Sequence, residues 1–451
     1  MITKKIFQKL YSFSISLKLS VVTFILLGIL TAVGTYMESL WDQETANKLI
    51  YHSPLMTGVM ILLVINLSAV LVDRWPWKTR QIPFILAHFG ILIMIFGSTL
   101  TRHFGLDASL RFKEGETVQK VTLTETEVVV YSSFDGESFT QLYHEPVDFY
   151  FNRPSESKPV IIPSGSESFL ITTYIPYGLP REEYQASQKG GWPALRFYLE
   201  GRPGRFVEWL FLPPGQKMLK KQLGPAEVIF TTDRSRLPET KKNQLLLYAK
   251  GEQLFYSLEQ KRWRSLKPGQ VFATGWMDFQ FRLLDFFPKA RRVFTFSPQK
   301  RPSDNTLSAI QVSWKGEKAW VAQGAYVQFY EKDKMYALGY LNQSHPLTFP
   351  IKLLDFRMET YQGSNKAKTY ESEVEILGKK YIISMNEPLK TGGYTFYQSG
   401  FEEDDEGRPV ISILSVNKDP GRFVKYTGAG LVILGVGLLF YRRKKLFGRK
   451  L

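Results

Sequence analysis

The sequence predicts an integral membrane protein: four transmembrane helices and one large extracytoplasmic all-β domain, sandwich-like in architecture. Three observations carry this. Residues 19–37, 55–72, 81–101 and 426–441 contain no fully charged side chain. Between the third and fourth of these stretches, apolar residues recur with a period of two, the strand period. Lysine and arginine gather in the short segments beside the apolar stretches. At 451 residues the chain is also too long for one ordinary domain.

The first three stretches are each about 20 residues, the length an α-helix needs to cross a bilayer core. The fourth is shorter, and it spans if Lys425 and Arg442 extend their charges to the interface. Residues 19–37 read as a retained helix rather than a cleaved signal peptide. Their apolar run is long, and Gly34-Thr35-Tyr36-Met37 leads into acidic residues instead of a small-x-small cleavage site. Charge sets the orientation. Residues 1–18 carry Lys4, Lys5, Lys9 and Lys18 and no acid. Residues 73–80 carry Arg74, Lys78 and Arg80 against Asp73. Residues 442–451 carry Arg442, Arg443, Lys444, Lys445, Arg449 and Lys450. The connection 38–54 is acidic, with Glu38, Asp42 and Glu44 against Lys48. Positive segments stay in the cytoplasm. Residues 1–18, 73–80 and 442–451 are therefore expected inside, and 38–54 and 102–425 outside. These segments hold most of the formal charge of +16, so the basic balance is an orientation signal and not a nucleic-acid footprint.

The domain 102–425 contains no cysteine. It is held by its own core, which about 320 residues suffice to build. It performs no thiol–disulfide exchange and binds no metal through thiolate. Strand-like runs cover 117–133, 193–201, 226–233, 243–251 and 279–287, bounded by Gly, Pro or Asp. An internal echo points to tandem β-units: "RLLDF" (282–286) returns as "KLLDF" (352–356), and "QVSWKGEK" (311–318) as "EVEILGKK" (373–380). Chance similarity among strands is the competing reading. No phosphate loop, paired-histidine motif or nucleophile elbow is present. His144 and His345 read as isolated loop residues, and the acidic run "FEEDDEG" (401–407) as an exposed turn without calcium-ligand spacing.

The third stretch, "FILAHFGILIMIFGSTLTRHFG" (84–105), contains His88. Pro83 suits a first helical turn, so His88 lies roughly 8–9 Å along the helix at 1.5 Å per residue. An ionisable residue within a span is a functional hypothesis by default. Four roles stay open: a hydrogen bond to a neighbouring helix with Asn66 as a candidate, packing near the interface, proton relay, and axial ligation of haem iron. Asn66 itself reads as interhelical glue. Trp75 and Trp77 read as interfacial anchors. A dihaem cytochrome would need facing histidines within the spans, and only one is present.

Several segments resemble the ResB family, also called CcsB, the membrane subunit of system II cytochrome c maturation. "SISLKLSVVTFILLGILTAVGT" (14–35) is similar to its opening helix, and "VINLSAVLVDRWP" (64–76) to its second. "LAHFGILIMIFGSTLTRHFGLDASLRFKEGE" (86–116) is similar to its third helix and the start of its outer domain. "MNEPLKTGGYTFYQSGF" (385–401) and "VNKDPGRFVKYTGAGLVILGVGL" (416–438) resemble its closing strands and last helix. The resemblance is weaker over roughly 134–340. It implies a bacterial plasma-membrane protein that works with a CcsA/ResC-type partner to export haem b and join it to apocytochrome c. It implies that His88 is a haem-iron ligand near the cytoplasmic side. The Trp-rich haem-handling segment of the partner family is missing, so the chain resembles one part of a haem lyase without a complete active site of its own. The family's frequent cysteine in the second helix is also missing from "NLSAV", which leaves thiol reduction to another protein. His103 is expected to make a helix-end polar contact rather than ligate haem. The competing function is a membrane-anchored β-domain for binding or envelope assembly, with no haem role.

Overall fold

The computed structural model describes residues 2–164, 167–187, 191–202, 204–213, 215–224, 226–237, 243–258, 262–276, 278–331, 334–362, 367–403 and 409–447. Six α-helices are present among them. Helix α1 (Ile2–Ser14) is followed by α2 (Leu17–Leu40), which starts where the Ser16 hydroxyl accepts from the Leu19 amide. Asp42 caps α3 (Gln43–Ala46) in the same way through Thr45, and a π-turn continues over Asn47–Tyr51. Ser53 caps α4 (Pro54–Asp73), with Pro54 in the first turn, where a missing amide hydrogen costs nothing. Helix α5 (Ile82–Phe104) likewise has Pro83 in its first turn, and α6 covers Arg422–Phe447.

Among the described residues, four helical segments are long and apolar enough to cross a membrane: Leu17–Leu40, Pro54–Asp73, Thr79–Phe104 and Arg422–Tyr441. Each outruns its charge-free stretch, because a helix end tolerates polar and charged side chains that a bilayer centre does not. Among the described residues, the stretch between α5 and α6 is β-structure with a short 3₁₀ turn at Arg234–Arg236.

The chain forms two compact units. One comprises Met1–Val129, His144–Asp148 and Leu341–Leu451; the other comprises Val130–Tyr143 and Phe149–Tyr340. The second takes in nearly all of the stretch where the family resemblance is weak.

In the first unit, strand Leu106–Phe112 follows α5 and pairs antiparallel with Pro409–Lys418, from Leu106↔Lys418 to Phe112↔Ser412. Strands Tyr394–Glu403 and Leu389–Thr391 extend the sheet on that side. Beyond Leu106–Phe112 lie strands Thr117–Ser133 and Lys334–Thr360, then Ala367–Ile376 and Lys379–Ser384. Alternate residues turn inward, and Leu110, Phe112, Ile351, Leu353, Val374, Phe396 and Leu414 close one core.

The second unit is a sandwich. A sheet built around Ser168–Ala186, Gln280–Pro298 and Trp192–Gly201 shares one core with a five-stranded sheet around Ala226–Thr231 and Gln244–Lys250. Phe197 and Phe281 of the first sheet meet Phe230, Leu245 and Leu247 of the second. Ala226–Thr231 and Gln244–Lys250 run parallel, which the strand runs do not foretell.

The two echoed motifs adopt matching local geometry. In the first unit, a turn closes where the Glu116 amide donates to the Lys113 carbonyl (3.0 Å) and the Lys113 amide donates to the Glu116 carboxylate (2.9 Å). Gly115 takes φ +81° there. The Gly115 amide then donates to the Leu353 carbonyl, and the Leu353 amide to the Glu116 carbonyl. The second unit repeats each step with Lys267, Gly269 (φ +84°), Gln270 and Leu283. Both strands bulge at the same place in the motif, between Leu353 and Asp355 and between Leu283 and Asp285. Leu377-Gly378 and Lys315-Gly316 both turn their hairpins with two positive φ angles, the pattern of a type I′ turn. Of the acidic run 401–407, residues 404–407 lie outside the described residues.

Candidate functional site

Helices α5 and α6 run antiparallel with their backbones in contact. A Cβ placed on Gly90 would stand 2.6 Å from the Gly428 carbonyl oxygen, and one on Gly428 would stand 2.6 Å from that of Gly90. One on Gly97 would meet the Lys425 amide nitrogen at 2.9 Å, and one on Gly435 the Ala87 nitrogen at 2.6 Å. Gly90 and Gly97 lie seven residues apart, as do Gly421, Gly428 and Gly435, so each set shares one helix face. Small residues on facing stripes let two helices approach closely enough for dispersion to hold them where no hydrophobic effect acts.

An ion pair closes one end of this helix pair. The Thr101 hydroxyl donates to Asp419 Oδ1 (2.6 Å), and the Lys425 ammonium donates to Asp419 Oδ2 (2.8 Å). Arg422 stands 3.9 Å from the same carboxylate. Burial alone would raise the Asp419 pKa. The hydrogen bonds from Lys425 and Thr101, with the charges of Lys425 and Arg422, outweigh it and hold the carboxyl below its ordinary range. From this clamp the helices lead directly into the paired strands Leu106–Phe112 and Pro409–Lys418.

His88 lies near the opposite end of α5. Its Nδ1 is 2.9 Å from the Phe84 carbonyl oxygen, one turn earlier. A carbonyl only accepts, so Nδ1 carries the proton and Nε2 presents its lone pair. Nε2 has no hydrogen-bond partner among the described residues. The imidazole stacks on the Phe84 ring at 3.7 Å between centroids, and the Arg74 guanidinium sits 3.6 Å from the centre of that same ring. Metal-bound imidazoles characteristically donate through the other nitrogen to a carbonyl or carboxylate, which fixes the tautomer and the ring orientation. The residues present therefore suit an axial ligand.

The other sequence-derived candidates fall in different places. Asn66 is not the partner of His88. It is buried and accepts from the Ser20 hydroxyl (2.7 Å), while its amide donates to the Ser14 carbonyl (2.7 Å). It ties α4 to the junction of α1 and α2, which is the glue role. The His88 hydrogen bond instead stays within its own helix. Trp75 and Trp77 are exposed and meet edge to face, and the Trp77 indole donates to the Leu71 carbonyl at the α4 terminus. His103 is exposed and makes no hydrogen bond among the described residues, so the expected helix-end contact is not formed. His144 and His345 lie in strands rather than loops, within Thr140–Val147 and Lys334–Thr360. His144 pairs with Glu127 (2.8 Å). Among the described residues no three metal-ligating side chains come together.

Two features escaped sequence reading: the glycine stripes and the aromatic stack joining Arg74 to His88. The seven-residue spacing of the glycines is visible in the sequence, but its meaning depends on knowing that α5 and α6 face each other.

Comparison with known proteins follows this architecture. Residues 311–410 match the ResB-like family. Protein NrfI of Wolinella succinogenes is 22% identical over 422 residues, which covers 92% of this chain and 33% of NrfI. The chain thus spans about a third of the length of this curated relative. These matches support a ResB-type reading of the chain.

Proposed function

We propose that this chain is the ResB-type subunit of a system II cytochrome c synthase in the bacterial plasma membrane. The segments before α2 and after α6, and the turn between α4 and α5, face the cytoplasm in this reading. The β-structure lies on the opposite side. Haem is cargo: it is taken up from the cytoplasmic side, held by His88 together with a histidine of a CcsA/ResC-type partner, and passed outward for thioether attachment to apocytochrome c. The β-units hold apocytochrome c beside the partner's outer site. Attachment requires reduced thiols in the right geometry, so positioning is this subunit's contribution. The chain has no cysteine, so a separate protein keeps the apocytochrome thiols reduced.

One observation carries the haem reading: the Nδ1 hydrogen bond of His88 to Phe84, which leaves Nε2 free as a ligand. The test is His88→Ala in the complex with its partner. Removing a polar ring from an apolar helix does not hinder insertion, so protein recovery should match wild type. Haem per complex should fall, and covalent cytochrome c should fall with it. Wild-type haem content with an unchanged axial-ligand spectrum would instead favour the membrane-anchored β-domain.

We also infer that the two β-units are tandem versions of one design, the second inserted in sequence within the first. The matching Lys-x-Gly-Glu/Gln turns, bulges and hairpin turns support it. Superposing 264–331 on the corresponding strands of the first unit should align Leu283 with Leu353 and Gly269 with Gly115. An alignment displaced at either pair would reduce the echo to chance.

A further inference from the structure

We propose that Arg74 binds a carboxylate of the haem that His88 ligates, so that a cation and an imidazole on neighbouring helices form one site. The proposal rests on the His88 reading above and adds the group that orients the porphyrin.

Arg74 caps α4, and its guanidinium carbon lies 3.6 Å from the centre of the Phe84 ring. Phe84 stacks in turn on His88. One aromatic ring therefore separates the cation from the candidate ligand. Arg74 is half-buried, and among the described residues it forms no ion pair and no hydrogen bond. The adjacent Asp73 does not pair with it; its carboxylate accepts from the Tyr11 hydroxyl at 3.1 Å. A guanidinium withdrawn from water onto an aromatic face keeps its fork of five donors free for a planar anion. The other cations of this turn, Lys78 and Arg80, are exposed and suit lipid headgroups.

Haem b carries two propionate carboxylates on one edge of the porphyrin. It offers both a metal to an imidazole nitrogen and a carboxylate to a nearby guanidinium. Bidentate pairing with Arg fixes a direction as well as a distance. His88 alone leaves the porphyrin free to turn about the iron–nitrogen bond, and Arg74 would set which edge points towards the α4–α5 turn. The competing anion is a phospholipid phosphate, which would use Arg74 without reference to haem.

Esterification separates these outcomes. The chain in complex with its partner, in detergent, is titrated with haem b and with its dimethyl ester, which keeps the iron and loses both charges. Wild type should bind the free acid about tenfold more tightly than the ester, the ratio expected for one charge-assisted hydrogen bond. Arg74→Gln should lose that preference by weakening free-acid binding alone, with the axial-ligand absorption spectrum unchanged. Arg74→Lys should retain part of the preference. Circular dichroism matching wild type establishes that the variants fold. If Arg74→Gln keeps the wild-type preference, or weakens acid and ester equally, the guanidinium does not hold a propionate and the proposal fails while the His88 reading stands. If His88→Ala leaves the spectra of both forms unchanged, or wild type binds neither form, the His88 reading fails and this proposal with it.

Discussion

The two pairs formed by the long apolar helices are held by different chemistry. Helices α5 and α6, far apart in sequence, meet glycine to backbone along three turns and more. Helices α2 and α4, close in sequence, each carry a glycine that faces open space: a Cβ on Gly28 or Gly58 would find nothing within 4 Å. That pair relies on Asn66, buried and bonded to Ser20 and Ser14. Only at its far end does a glycine make room, where Gly34 takes the Tyr51 ring. A glycine in an apolar helix is therefore not an interface by composition. It becomes one when its spacing matches a stripe on the helix it faces.

The largest effect should come from breaking the stripe. Gly428→Leu forces a side chain into the Gly90 carbonyl, and overpacking costs about 1–3 kcal/mol or more. Thermal unfolding in detergent should shift down by several degrees, or folded protein should be lost. Gly58→Leu, the matched control, should leave the midpoint near wild type. An equal loss from both variants would erase the distinction between the pairs.

Asn66→Ala tests the polar pair. It should cost about 0.6–2 kcal/mol, the range for interhelical hydrogen bonds in membranes, and leave α5–α6 crosslinking unchanged. Loss of both pairs together would show that they form one cooperative unit.

A smaller, pH-dependent effect should arise at the Asp419 clamp. Its folded pKa is depressed, so its stabilisation is fully present above the ordinary carboxylate value of about 4 and is lost as pH falls through the lower folded value. Asp419→Asn should flatten the acid limb of a stability–pH profile. An identical acid limb in the variant would show that the clamp contributes nothing.

The smallest effect should have the opposite sign. Gly28→Ala fills open space and removes a residue with poor helix propensity, which should stabilise by up to about 1 kcal/mol. The same change at Gly90 should destabilise.

The sequence made the spans legible because excluding charge from a bilayer centre leaves a local mark on composition. It made the β-structure legible through period-two runs, and 117–133 coincides with Thr117–Ser133. His88 was legible as a polar residue in an apolar run. Its tautomer was not, because that depends on a carbonyl one turn away. The aromatic column beneath it joins Arg74 to Phe84 across the end of one helix and the start of the next, and no spacing rule encodes such a contact. Asn66 shows the same limit: an amide advertises a partner without naming it, and Ser20 was one of many hydroxyls within reach. The parallel pairing of Ala226–Thr231 with Gln244–Lys250 depends on register between segments, which alternation alone cannot specify.

The glycine-lined pairing of α5 with α6 also governs the timetable of biogenesis. About 320 residues separate the two helices, and at ~5–20 residues per second a ribosome needs on the order of 16–60 s to traverse them. Throughout that interval the small-residue groove of α5 lacks the helix that fills it. Strand Leu106–Phe112 likewise waits without its partner Pro409–Lys418. Arrival of α6 closes both gaps in one event, since the residues that meet Leu106 and Gly97 lie within a few positions of each other at Lys418 and Gly421. Until then the nascent protein carries an unpaired sheet edge, a state that holdases and proteases are built to recognise.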